Sequence, residues 1–225
     1  MQAALTVESA GATPANVVRA TPNHEHGKLQ IVVRSGDVKQ TRVYSVEVVA
    51  GRIDLTSDGV TEERPGAAPV SAAVASLALQ LGPRGEIAAK GPSTSPPTRF
   101  ASSADYEASR RNENPDEETT EELSWLFAPL PADAIGEGAK WRFEQEYYSS
   151  LGPIHEATRY ELLGRDANEL RVRVEEHAHT MGNEFGRGTV TGTVTIPLGA
   201  WRLPRGSFAF TNRNMSGTIE MTPID

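Results

Sequence analysis

The chain has 225 residues, of which 38% are hydrophobic, and its formal net charge is −8. This acidic balance argues against a nucleic-acid partner, because affinity for phosphate backbones depends on clustered Lys and Arg. The chain has no cysteine, which excludes disulfides, thiolate nucleophiles and cysteine metal ligands. No apolar run in it approaches the roughly 20 residues that a transmembrane helix needs.

The first part of the chain, residues 1–90, has the pattern of an N-terminal β unit. Apolar and polar residues alternate over 29–34, and turn residues at 35–37 precede a second alternating run over 41–49. A period of two is typical of half-buried strands, so this pattern predicts an antiparallel hairpin. A Gly-Pro-Arg-Gly turn at 82–85 predicts a further connection of the same kind.

Residues 91–115 interrupt the alternation. This segment is rich in proline, serine and charged residues, and it includes the run Ser-Thr-Ser-Pro-Pro at 93–97. Such a composition is too polar to build a core, so we expect a polar linker or a long surface loop.

One helix is predicted, from about residue 116 to residue 128. Asn114 can cap it, Pro115 suits the first helical position, and the acidic residues at 116–118 complement the positive end of the helix dipole. An apolar stripe then follows the helical period, until prolines end the helix: Leu123, Leu126, Phe127 and Leu130. We expect this stripe to pack on the sheet that begins at Trp141.

The remainder of 116–225 predicts a C-terminal antiparallel β unit. Its apolar residues fall into short runs, each with one parity: Trp141, Phe143 and Tyr147; Leu170, Val172 and Val174; Val190, Val194 and Ile196; Phe208 and Phe210; Ile219 and Met221. The predicted fold class is therefore mainly β, with curved antiparallel sheets that form a half-barrel or two related β units, and with one packed α-helix.

The stretch 126–141 carries a resemblance. It combines Pro129-Leu130-Pro131 with a glycine-containing entry into the strand at Trp141, and a later strand ends in Tyr-Glu-Leu at 160–162. In these features the C-terminal half resembles uncharacterised bacterial envelope proteins, an all-β group of lipoprotein-like or secreted proteins. The resemblance implies a β fold and a periplasmic, cell-envelope or secreted location, and it transfers no catalytic residue.

Aromatic residues are the first candidate binding surface. Seven of them fall on strand faces that are expected to point inward: Trp141, Phe143, Tyr147, Tyr160, Trp201, Phe208 and Phe210. Such rings form either a packed core or the lining of a cavity for a lipid or another apolar ligand. The sequence favours core packing and leaves the cavity as an alternative.

Two His-x-His pairs are the candidate metal ligands, namely His24 with His26 and His177 with His179. In a strand this spacing directs both imidazoles to one face, and Glu25 or Glu175 could add a carboxylate, so a joint zinc site is one reading. The alternation around residue 177 places that pair on the polar side of its strand, which favours surface histidines instead.

Other catalytic patterns are weaker still. Glu144 with Glu146 and Glu175 with Glu176 are acidic pairs, but cross-strand ion pairing explains the first better than acid and base roles. No Gly-x-Ser-x-Gly motif is present, and we interpret the glycines between 182 and 192 as turn and bulge residues.

The sequence therefore favours a non-enzymatic, extracytoplasmic β module for scaffolding or protein interaction, with no cofactor. One alternative is a carrier of an apolar small molecule, and the other is a metal-dependent enzyme that uses the His-x-His pairs. Residues 1–4 lack a signal-peptide pattern, so we expect that any signal or lipid-bearing cysteine was removed from the N-terminus, which would then account for membrane anchoring.

Overall fold

The computed structural model describes residues 2–17, 24–49, 51–72, 77–82, 84–88, 122–149, 152–180, 187–199, 201–212 and 215–224. In the N-terminal half the strands are β1 (Gln2–Ser9), β2 (Ala12–Ala15), β3 (His24–Ser35), β4 (Val38–Val49), β5 (Arg52–Glu63), β6 (Val70–Ala72), β7 (Leu77–Leu81) and β8 (Ile87–Ala88). In the C-terminal half they are β9 (Ile135–Glu137), β10 (Lys140–Ser149), β11 (Gly152–Arg165), β12 (Glu169–Thr180), β13 (Arg187–Pro197), β14 (Arg205–Asn212) and β15 (Ser216–Ile224). A short helix, α1, covers residues 122–126.

Thirteen strands form one antiparallel sheet in the order β1-β10-β11-β12-β13-β14-β15-β3-β4-β5-β7-β8, with β6 also paired to β5. Strands β2 and β9 form a separate two-stranded sheet. The fold is thus mainly β and antiparallel with little helix, as the alternation predicts. Among the described residues no helix has the length and apolar content that crossing a bilayer requires.

The two predicted β units meet edge to edge within this sheet. Strand β15 pairs with β3 from Gly217 opposite Ser35 to Ile224 opposite Lys28, and β1 pairs with β10. Strands from both halves therefore share one ladder of backbone hydrogen bonds. The boundaries proposed at residues 90 and 116 remain a prediction, and the linker 91–115 lies outside the described residues.

The sheet is strongly curved, and among the described strands its two edges, β1 and β8, do not pair with each other. The amide of Leu130 donates to the carbonyl of Arg84, between β7 and β8, at 2.9 Å. The indole N–H of Trp141, in β10, donates to the carbonyl of Pro129 at 2.8 Å. In a flat sheet the nine steps from β10 to β7 would span about 43 Å. Since two consecutive residues contact both regions, the sheet must curl around them.

The predicted inner faces form one core. Leu170, Val172 and Val174 are buried, as are Val194 and Met221. They belong to a single apolar cluster that also contains residues of β3, β4, β5 and α1. The turns predicted at 35–37 and 82–85 are confirmed as well, since β3 ends and β4 begins around the first and the amide of Gly85 donates to Gly82 at the second.

Helix α1 lies inside the curled sheet. Its described part is shorter than the predicted helix 116–128, because residues before 122 lie outside the described residues and a turn follows at Phe127, whose amide bonds to Leu123 at 3.0 Å. Leu123, Leu126 and Phe127 are buried. Helix α1 packs on the strands that follow Trp141, as expected, since Trp125 contacts Glu176 of β12 and Phe208 of β14, and it also contacts β4 through Arg42.

Candidate functional site

The aromatic candidates divide into three buried rings and a partly buried group. Trp141, Tyr160 and Phe208 are only 0%, 3% and 1% exposed. Trp141 stacks on Tyr160 with ring centroids 5.5 Å apart, and Phe208 lies 5.8 Å from Trp125 of α1. These three rings are therefore in contact with protein.

Three of the other four aromatic candidates lie at the margin of the core. Phe143, Trp201 and Phe210 are partly buried and pack against the core cluster. The backbone of Tyr147 lies in β10, whereas its side chain is outside the described part of the structure. The structure thus places most of the predicted aromatic face in or against the core.

A group of polar side chains is buried on the same inner face, next to Tyr160. We name it the inner polar cluster; its members are Gln145, Glu156, Thr158, Tyr160 and Glu176. The amide of Gln145 donates to Glu156 at 3.1 Å, and the hydroxyl of Thr158 lies 3.4 Å from the same carboxylate. Burial, followed by the charges of Glu156 and Glu176, holds the pKa of Tyr160 well above its ordinary value, so its phenol stays neutral.

Two buried polar contacts fix α1 between opposite parts of the sheet. On one side, Nη2 of Arg42 in β4 lies 2.5 Å from Oε1 of Glu122. On the other side, the indole N–H of Trp125 donates to the carboxylate of Glu176 in β12. The second contact joins α1 to the inner polar cluster. The carboxylates of Glu122 and Glu176 therefore take part in structural contacts. Glu176 does so although it and Glu156 are buried acids near Tyr160, an arrangement that could suggest catalysis.

The first His-x-His pair meets a carboxylate on the outer face of the sheet. His26 lies directly opposite Glu47 in the β3–β4 ladder, and His24 lies one place along on the same face. The Nε2 atom of His24 is 2.7 Å from Oε1 of Glu47, and one ligand atom from each of the three residues falls within 4.8 Å of the others. The expected carboxylate, Glu25, is replaced in this role by Glu47, because Glu25 alternates to the other face of β3.

The second pair lies elsewhere. His177 is exposed, as its parity predicts, with Nε2 3.0 Å from Glu175, and the backbone register places His155 opposite His179, two residues whose side chains are outside the described part. Across the sheet from β12 to β15, His177 is in register with Thr189, Thr211 and Ser216. The next residue of β15, Gly217, lies opposite Ser35, the last residue of β3. His24 is the first residue of that 12-residue strand. His24 and His177 are thus offset by roughly 36 Å in the strand direction and by four strands across the sheet, so the two pairs do not form one site.

A further outer surface was not anticipated from the sequence. Strands β13, β14 and β15 expose a contiguous set of hydroxyl side chains, which we name the hydroxyl face: Thr189, Thr191, Thr193, Ser207, Thr211, Ser216 and Thr218. The alternating threonines of 189–195 were the signal in the sequence. Charged side chains border it: Arg173 of β12 pairs with Glu161 of β11, and Glu220 of β15, which lies opposite Ser207, pairs with Arg34 of β3.

Searches against protein-family models, curated proteins and solved structures find no match to this chain. Its function is therefore inferred from the geometry of its own residues.

Proposed function

We propose that the chain is a non-enzymatic, extracytoplasmic β module that binds a protein partner on the outside of its sheet. The observation that carries this proposal is the burial of Trp141, Tyr160 and Phe208 in the core. Because these rings contact protein, the inner face acts as a core. The outer face of the sheet is then the larger surface available for recognition.

We place the protein contact on the hydroxyl face, whose defining side chains are short and uncharged. The cores of protein interfaces are depleted in charged residues, since charges are costly to remove from water. Threonine and serine side chains are short and lose little conformational freedom on binding. Paired strands on both sides hold them in a fixed array, with Thr191 at the centre of the β13 row.

The location outside the cytoplasm is part of the same proposal. It is supported by the resemblance of 126–141 and 160–162 to bacterial envelope proteins. Fractionation of cells that express the protein from its own gene tests it directly. Recovery with the envelope or the medium is expected, and recovery with the cytoplasmic fraction would contradict it.

Site-specific photocrosslinking tests the proposed surface. A photoreactive residue is introduced at Thr191 or Thr218 in the full-length protein, and Thr56 serves as the control because it is an exposed outer threonine on the distant strand β5. We expect one discrete protein adduct from Thr191 and Thr218 and none from Thr56. Adding a charge nearby through Thr193→Lys should abolish the adduct.

Two results would overturn the proposal. The first is equal labelling from Thr191 and Thr56, which would show no preference for the hydroxyl face. The second is native mass spectrometry of gently purified protein that shows a stoichiometric lipid or other apolar molecule, which would favour a carrier. Both measurements use the intact chain.

A further inference from the structure

The start of the β3–β4 hairpin brings together three side chains of the types that bind transition metals. His24 and His26 extend from the outer face of β3, and Glu47 extends from the opposing position of β4. The two imidazole rings have their centroids 4.6 Å apart, and Glu47 already lies 2.7 Å from His24. The backbone ladder fixes the relative positions of all three residues.

We propose that His24, His26 and Glu47 bind a divalent transition-metal ion, with Zn²⁺ as the probe ion. Imidazole nitrogens and carboxylate oxygens are common zinc ligands at distances of about 2.0 to 2.2 Å. Ligand atoms around a tetrahedral ion then lie roughly 3.4 Å from one another. The observed spread of at most 4.8 Å needs only small side-chain rotations to reach this geometry.

Three protein ligands leave one tetrahedral position for water or for a group from another molecule. The side chains of His24 and Glu47 are 59% and 45% exposed, so the ion would be accessible from solvent. Two cations on this surface, Arg52 and Lys28, are each paired with an aspartate, Asp54 at 2.7 Å and Asp58 at 3.2 Å, which reduces their repulsion of an incoming ion. The site is distinct from the hydroxyl face, and the proposal does not depend on the proposed function.

Isothermal titration of the full-length chain with Zn²⁺ tests the site. We expect about one ion per chain, and we expect His24→Ala, His26→Ala and Glu47→Gln each to weaken binding by roughly tenfold or more, because each removes one of three ligands. The matched controls are His177→Ala and Glu175→Gln, which alter the other exposed His-x-His pair. These two variants should bind Zn²⁺ like the unchanged protein.

Circular dichroism of each variant shows whether the fold is kept, and the exposure of these side chains makes a folded variant the expected result. Absence of Zn²⁺ binding to the unchanged protein would overturn the proposal. Unchanged affinity in Glu47→Gln would do so too, as would a loss caused by His177→Ala that equals the loss caused by His24→Ala. The last result would move the metal to the other end of the sheet.

Discussion

The guanidinium of Arg42 and the carboxylate of Glu122 form an ion pair inside the curled sheet, with Nη2 and Oε1 2.5 Å apart and both side chains buried. Arg42 belongs to β4 and Glu122 to α1. At the other side of α1, Trp125 contacts Glu176 of β12. A helix of this length is not stable alone in water, so its position depends on these contacts and on its apolar packing.

Replacing Arg42 by Met should lower the free energy of unfolding by about 3 to 5 kcal/mol, because the Glu122 carboxylate would lose its buried cation. Urea denaturation measures the change. The control is Arg173→Met, which removes an exposed ion pair with Glu161 and should cost about 0 to 1 kcal/mol. Similar losses for the two variants would contradict a buried role for Arg42.

Gly192 should not tolerate a side chain. A Cβ at this position of β13 would clash with the backbone carbonyl of Ser207 and lie 2.5 Å from a ring carbon of Phe208, so this glycine makes room for the neighbouring strand and its aromatic ring and does not form a turn. We expect Gly192→Ala to destabilise the protein by about 1 to 3 kcal/mol through overpacking. Gly164→Ala is the control, since its Cβ would meet only the end of Arg171 at 4.0 Å. Equal melting temperatures for the two variants would contradict this packing.

The neutral phenol of Tyr160 should make the protein sensitive to alkali. Its folded-state pKa lies above the unfolded value near 10.0, chiefly because of burial. Below the unfolded-state pKa, the phenol is neutral in both states and stability does not depend on its titration. Between the unfolded-state and folded-state pKa values, the free energy of unfolding falls by about 1.4 kcal/mol per pH unit. Denaturation of Tyr160→Phe between pH 8 and 11 should show a shallower loss than that of the unchanged protein. Parallel losses would show that Tyr160 does not titrate in this way.

The turn between β11 and β12 should weaken in acid. The Asp166 carboxylate accepts the amides of Asn168 at 2.7 Å and Glu169 at 2.9 Å, and these bonds, that of Asn168 first, lower its pKa. Asp166 contributes its full stabilisation of the fold above its unfolded-state pKa of 3.8. That stabilisation is lost as pH falls through the lower folded-state pKa. The Asp166→Ala variant should thus have a lower melting temperature than the unchanged protein at pH 7, and the difference in melting temperature should be smaller at pH 3. The same difference at both pH values would contradict this role of Asp166.

Local patterns predicted much of the fold. The alternation of Leu170, Val172 and Val174 predicted that these side chains are buried, and the turn residues that begin at Ser35 predicted the β3–β4 hairpin. That turn also fixes the register, because it pairs Ser35 with Val38 and hence residue 26 with residue 47. Glu47 was thus available to sequence reasoning as the partner of His26, although the adjacent Glu25 was the more obvious choice.

Other features depend on contacts that no local pattern encodes. The parity of β12 directs Glu176 inward, but a carboxylate is normally assigned to the surface, and its burial is compensated by Trp125 from a distant part of the chain. Similarly, β15 pairs with β3 across most of the sequence, so neither hairpin rules nor alternation could predict a continuous sheet.

The sheet curls around α1 and the segment that follows it, so that β10 and the β7–β8 turn flank Pro129 and Leu130. Because the chain has no cysteine, spin labels can be placed at Arg84→Cys and Lys140→Cys without removing any native thiol. Double electron–electron resonance should give a distance between the two spin labels on the order of 30 Å or less, because the hydrogen bonds to Pro129 and from Leu130 hold both regions close together. A distance distribution centred above about 40 Å, the separation expected in a flat sheet, would show that the sheet is not curled around α1.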